Sequence, residues 1–214
     1  MGQKINPNGF RLGILNTWNS RWFADDKRYK DFLLEDVKIR RALTAKLKPA
    51  GISKIEIERS INKIDIILHV SRPGMVIGRG GSGLDEVKKF VESIISPLKN
   101  KTESKLKLEI KVEPIKQPNL DANLVAIMIA DQLAKRLPQR RVVGAAIDKV
   151  MGAGAKGVKV ILSGRIGGAD ISRRETYKNG TIPLSTLREN IDFASYPSLT
   201  RSGYVGVKVW ICKL

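Results

Sequence analysis

The chain has 214 residues, is 42% hydrophobic, and carries 39 Lys and Arg against 21 Asp and Glu, a formal net charge of +18. A folded chain this basic repels itself and calls for a polyanion, with nucleic acid the first candidate and an anionic membrane surface the second. A single cysteine, Cys212, and a single histidine, His69, exclude a disulfide framework and a closed zinc site, and no apolar run approaches the ~20 residues of a membrane span.

The opening MGQKINPNGFRLG has no apolar stretch of the secretory kind, and Asn6 breaks the myristoylation pattern, so a cytosolic protein is expected. Residues 1–19, with Gly2, Pro7, Gly9 and Gly13, show little periodicity and read as an arm rather than a packed element. Asp36 is the expected start of a helix whose apolar residues Ile39, Leu43 and Leu47 recur at helical spacing, with Gly51 as its stop. The other side of that helix holds Lys38, Arg40, Arg41, Lys46 and Lys48, either a solvated face or a set of phosphate contacts. Two alternating runs follow, Ile55 and Ile57, then Ile64, Ile66, Leu68 and Val70, joined by a short link that predicts a hairpin. His69 falls on the opposite face from Leu68 and Val70, without catalytic or metal partners, and reads as a surface or packing residue.

The stretch VIGRGGSGL, Val76–Leu84, has two readings. From Gly78 to Gly83 it matches G-x-G-x-x-G, a dinucleotide-binding pattern. From Gly78 to Gly81 it matches G-x-x-G, the loop with which a KH domain clamps a nucleic-acid backbone. A dinucleotide turn needs a buried strand directly before the first glycine, and only Met75-Val76-Ile77 separates Pro73-Gly74 from Gly78. The order helix–β–β–helix–GxxG–helix–β fits a type II KH domain instead, with the glycines letting backbone amides meet a phosphate and Arg79 adding charge. Ser82, three residues before Asp85, resembles a capping box at the start of the next helix. That helix carries one stripe, Leu84, Val87, Val91, Ile94 and Leu98, widened by Phe90 and Ile95, with Pro97 near its end. A strand then alternates Leu106, Leu108, Ile110 and Val112 with Lys105, Lys107, Glu109 and Lys111. Pro114 and Pro118 mark a boundary between a domain over 20–113 and another over 119–214.

The second half predicts a buried helix from about Asn119 to Leu137, an interruption at Pro138, and a second helix from Gln139 to Met151. Strands are expected from Val158 to Leu162 and from Tyr204 to Cys212. The second G-x-G-x-x-G, Gly152–Gly157, lies after a helix and before a strand, the reverse of the dinucleotide order, and reads as a linker. The whole is α+β, with two helices on a mostly antiparallel sheet in the second domain. No P-loop is present, and the acidic pairs Asp25-Asp26 and Glu35-Asp36 have no catalytic context, the latter suiting a helix start. No enzyme and no cofactor are expected.

The stretches MGQKINPNGFRLGI, RPGMVIGRGG, AKGVKVILSGRIGGADISRRETYKNGTIPLSTLRENIDFA and, near the end, GYVGVKVWI resemble, in order and over nearly the whole chain, the ribosomal protein S three family of the bacterial small subunit. The resemblance implies a type II KH domain followed by a C-terminal α+β domain. It also implies contact with small-subunit ribosomal RNA in the head, with neighbouring head proteins, and with messenger RNA where it enters the subunit, in the cytoplasm or in an organelle. It places the messenger RNA grip on Arg140 and Arg141, with Lys135 and Arg136 just before them. One departure is plain: the family commonly has a further lysine where this chain has Gly144. The glycine loop, Gly78, Arg79, Gly80 and Gly81, has one basic residue where the family often has two. Candidate contacts to ribosomal RNA are Lys4, Arg11, Arg40, Arg41, Arg165, Arg173, Arg174 and Lys178. The alternative is a free KH protein that regulates selected messenger RNAs.

Overall fold

The structure, a computed structural model, describes residues 4–60, 63–95 and 107–213. The chain forms two compact units, Trp18–Lys116 and a second one assembled from Met1–Thr17 and Gln117–Leu214. The first helix, α1 (Pro7–Phe10), belongs to the second of these.

In the unit Trp18–Lys116, strands β1 (Ser20–Arg21), β2 (Ile52–Ser60), β3 (Lys63–Val70) and β4 (Lys107–Pro114) lie in sequence order in one sheet. The hairpin pairs β2 with β3 antiparallel, as the alternation predicts, and β4 adds parallel to β3. A parallel neighbour requires a crossover, and the chain between them holds helices α3 (Pro73–Ile77) and α4 (Ser82–Ile95). One sheet face, with Ile55, Ile57, Ile64, Ile66 and Leu68, packs against Val87 and Val91 of α4 and Ile39 and Leu43 of helix α2 (Asp26–Lys46). Pro97, Leu98, Lys105 and Leu106 lie outside the described residues.

Helix α2 begins well ahead of Asp36, and the acidic pair Glu35-Asp36 lies mid-helix and buried, not at a helix start. Arg59 of β2 is the reason. Its guanidinium donates to Glu35 at 2.7 Å and to Asp36 at 2.6 and 2.9 Å. The second Asp36 oxygen accepts from the Trp22 indole at 2.8 Å and the Ser20 hydroxyl at 3.1 Å. The burial stripe of α2 therefore runs through two acids, and a search for apolar periodicity starts the helix too late.

On the opposite face of this sheet, Arg21, Lys54 and His69 surround Glu56. Burial pushes the Glu56 carboxyl up, but Lys54, Arg21 and His69 more than offset it and hold it below its ordinary value. His69 lies 3.4 Å from both Glu56 and Glu113, a packing position within a charged lattice.

In the second unit, β5 (Gly157–Gly164), β6 (Arg173–Gly180), β7 (Ile191–Thr200) and β8 (Gly203–Cys212) form an antiparallel sheet in the order β6-β5-β8-β7. Helices α5 (Ala122–Ala134) and α6 (Gln139–Gly152) cover one face, over Val158, Val160, Leu162, Val207, Val209 and Ile211. Asp121 caps α5 by accepting from the Leu124 amide at 3.0 Å, so α5 starts after Asn119, behind a short 3-10 turn. Pro138 separates α5 from α6 and stands at the N-cap of α6.

Residues 4–17 correct the expectation of an unpacked arm. The Asn8 side chain pairs with the backbone of Phe193 in both directions, at 2.9 and 3.2 Å, covering the free edge of β7. Arg11 has no exposed surface; its guanidinium donates to the carbonyls of Pro7, Leu184, Thr186 and Glu189 at 2.7–3.2 Å.

Arg11→Ala is expected to destabilise the second unit by about 2–4 kcal/mol in denaturant unfolding, because it leaves a hole where a fully buried side chain was and strands one buried and three part-buried carbonyls. Arg11→Lys should recover less than half of the loss, since an ammonium lacks the planar fork. A pH dependence follows from Glu56, whose folded pKa lies below the ordinary 4.5. Its contribution is complete above that ordinary value and is lost as pH falls through the lower folded one. Glu56→Gln should flatten the stability profile of the Trp18–Lys116 unit across that acid window, read by thermal melts from neutral pH downward.

Candidate nucleic-acid interface

The glycine loop joins two helices. Gly78 ends α3 with φ 69°, and Gly80 and Gly81 have φ of 62° and 87°, in the left-handed region that side chains avoid. Gly78, Arg79 and Gly80 are exposed. A Cβ on Gly80 or Gly81 would meet nothing within 4 Å, so conformation and access, not packing, explain these glycines. Gly83 is different: a Cβ there would lie 2.5 Å from the Val76 carbonyl. The third glycine of the dinucleotide spacing is thus explained by the close crossing of α3 and α4, and a helix, not a strand, precedes Gly78. Ser82 is the first residue of α4, and its hydroxyl donates to the Arg79 carbonyl at 3.0 Å, closing the loop instead of forming the expected capping box.

The corner between α5 and α6 is the second cationic feature. Lys135, Arg136, Arg140 and Arg141 are all exposed, and none has a carboxylate partner among the described residues. Arg140 and Arg141 occupy the first turn of α6, where the helix dipole favours acids and where this helix has none. Cations at that end repel the dipole, and an arriving anion relieves the repulsion. Arg136 has φ 61°, the one non-glycine residue with positive φ among the described residues. Gly144 lies one turn beyond Arg140, and a Cβ there would meet nothing within 4 Å.

The third feature is the sheet face of the second unit turned away from α5 and α6. Strand register places Lys159 opposite Lys178 and Trp210, Ser163 opposite Arg174, and Ile161 opposite Lys208. The Lys159 ammonium lies 5.5 Å from the Trp210 ring centroid. Burial draws its pKa down, and the like charges of Lys4 and Lys178 draw it further. No Asp or Glu occupies a strand position on this face of β5, β6 or β8. Lys159, Lys208 and Trp210 were missed in the sequence because the alternation was read for its apolar side alone.

Two sequence candidates do not reach the surface chemistry assigned to them. Arg11 is fully buried and commits four of its five N–H donors to carbonyls, so it presents no guanidinium to a phosphate at the surface. Arg40 donates to the Asn19 carbonyl and Ser20 hydroxyl, both at 2.8 Å, and to the Ile55 carbonyl; burial lowers its pKa against the pull of Asp36 and Glu56. Arg41 is exposed beside it, whereas Lys46 stacks on Phe90 at 4.4 Å. Arg165 and Arg173 are exposed but lean on Asp170 and Glu175 at 3.3 and 2.9 Å. Lys4, Arg174 and Lys178 are exposed without such partners among the described residues.

The profile of the KH domain family matches residues 38–120, and that of ribosomal protein S3, C-terminal domain, matches residues 129–211. With its parallel β4 and its GxxG loop between helices, the first unit is a type II KH domain, and the chain has the two-domain make-up of a ribosomal protein. The chain is 50% identical over 213 residues to small ribosomal subunit protein uS3 of Caldicellulosiruptor saccharolyticus, covering 100% of this chain and 92% of that one. It is 47% identical over 211 residues to the uS3 of Lactobacillus helveticus, covering 99% and 90%, and 46% identical over 217 residues to that of Bacillus cytotoxicus, covering 99% and 92%. The chain belongs to the small ribosomal subunit protein uS3 family.

The glycines separate into two classes that stability measurements should resolve. Gly83→Ala is expected to cost roughly 1–3 kcal/mol by forcing α3 from α4. Gly80→Asp should cost only about 1 kcal/mol, the strain of a side chain at positive φ that Asp tolerates better than most, and weaken binding of the full chain to a short RNA several-fold, because it sets a carboxylate against the backbone phosphate.

Proposed function

We propose that this chain is a structural constituent of the small ribosomal subunit that binds small-subunit ribosomal RNA in the head and grips messenger RNA as it enters. The carrying observation is the distribution of charge within the second unit: a face of β5, β6 and β8 without acids, and four cations at the α5–α6 corner that have no carboxylate partner among the described residues. Each phosphate met by such a cation releases counterions, so affinity is strong at low salt and falls steeply as salt rises. Lys4, Lys159, Arg174, Lys178 and Lys208 form the ribosomal RNA face, with Trp210 as an aromatic neighbour. Neighbouring head proteins are further partners. Lys135, Arg136, Arg140 and Arg141 contact messenger RNA, and the bare helical position Gly144 leaves that grip one cation short of the family's usual set. The glycine loop, with Arg79, adds a backbone-amide contact to RNA in the KH domain.

Sedimentation of lysate on a sucrose gradient, before and after a high-salt wash, tests the ribosomal assignment. Stoichiometric comigration with the small subunit through the wash is expected; material at the top of the gradient would point to a free KH regulator. Arg140→Ala with Arg141→Ala should leave assembly intact and slow translation through a stable messenger RNA hairpin. Gly144→Lys should speed that passage, and it should also stabilise the helix by about 0.5–1 kcal/mol, because glycine is a poor helix residue and the site is open.

A further inference from the structure

The second unit contains a cavity of about 360 Å³ beside the α5–α6 corner, which none of the features above explains. Its floor is apolar, from Leu133, Ile166 and Val205, all buried. Its lining includes three arginines from three separate turns: Arg136 after α5, Arg165 after β5, and Arg201 between β7 and β8. Arg136 and Arg201 have no carboxylate partner among the described residues, and the Arg165 partner, Asp170, is itself fully exposed. The volume lies at the lower end of the ~300–1,000 Å³ of small-ligand sites. It admits one flat ring and its attached sugar, and excludes a duplex.

Arg136 carries the argument further. It holds the left-handed position that follows a helix, where glycine is the usual occupant because a side chain there is strained. Its amide donates to the Leu133 carbonyl at 2.9 Å, and the next amide, of Leu137, donates to Gln132 at 3.3 Å. Glycine would form both bonds without strain. The arginine is therefore not explained by the turn, while the residue lines the cavity. Across the cavity, Gly167 and Gly168 also have positive φ, of 69° and 84°, and form an exposed backbone turn beside Arg165.

We propose that this cavity seats one unstacked nucleotide of an extended RNA strand, with the base on the apolar floor and its flanking phosphates on Arg136, Arg165 and Arg201. Guanidinium suits both halves of that ligand, since it forks onto phosphate oxygens and stacks on bases. The proposal rests on the RNA-binding function above and gives it a site of one-nucleotide register, next to the first turn of α6.

The test uses the full chain and a fluorescein-labelled eight-nucleotide oligouridylate, followed by anisotropy across a salt series. Arg136→Gly is expected to keep or raise the melting temperature yet weaken binding about five- to twenty-fold and lower the log–log salt slope by about 1. Arg201→Ala should do the same to binding. Ser202→Trp, which keeps every cation but fills the cavity, should weaken binding without changing the slope. Unchanged affinity in Arg136→Gly and Arg201→Ala, with wild-type binding intact, overturns the pocket alone. Weakening by these two but not by Ser202→Trp overturns the seated base. Wild-type chain that binds no oligonucleotide at low salt overturns the RNA function itself and the pocket with it. Photo-crosslinking of intact small subunits, with 4-thiouridine either in messenger RNA or in ribosomal RNA, identifies the strand. A crosslink to either one at this cavity supports the proposal, and a crosslink to neither refutes it.

Discussion

Electrostatic self-repulsion is the constraint around which this molecule is organised. With 39 cations to 21 carboxylates, every acid that pairs internally decides where the surplus is left. In the unit Trp18–Lys116 the acids lie where they join elements. Glu35 and Asp36 fasten α2 to β2 through Arg59, and Glu56, Glu58, Asp65 and Glu109 interleave with Arg21, Lys54 and Lys63 on the open sheet face. That face is close to neutral. In the second unit the acids sit elsewhere: Glu175 with Arg173, Glu189 with Lys156, Asp192 with Lys213. The open face between them is left with cations alone. A charge excess becomes a directional field when the minority sign is confined, and long-range attraction of a polyanion follows from that confinement.

Where burial is apolar, the fold was legible. The hairpin β2–β3, the helix α4 and the strand β8 each announce themselves by clean periodicity, because one face meets a core of aliphatic side chains. Where burial is polar, it was not. The front half of α2 is hidden because its inward positions include Glu35 and Asp36, and no local feature marks Arg59 as their partner. Strands β6 and β7 escape for other reasons. RRETYKNG has almost no apolar residues, and IDFASYPSLT is an edge strand with contacts on both faces and a proline that an edge tolerates.

The candidate interface divides along a similar line. Arg79 is legible from its own neighbourhood, since a glycine loop is a local signal, whereas Arg140 and Arg141 are marked by the family resemblance and not by their spacing. Arg11 and Arg40 look identical to RNA-contacting arginines in the sequence, and only three-dimensional carbonyl clusters distinguish them. The acid-free sheet face needed strand register before Lys159, Lys178 and Lys208 became neighbours. The cavity needed three turns far apart in the chain.

The place of Arg11 has a consequence for the order of events during synthesis. Its segment leaves the translating ribosome 173–178 residues ahead of Leu184, Thr186 and Glu189, to which it donates. At about 5–20 residues per second, that interval is on the order of ten to forty seconds. The KH domain has its whole sequence available within that time, and the leading residues must wait as an untethered, cationic thread. The segment around Arg11 and the strands that follow Glu189 are thus joined into one domain by a clasp that forms only after both have been made.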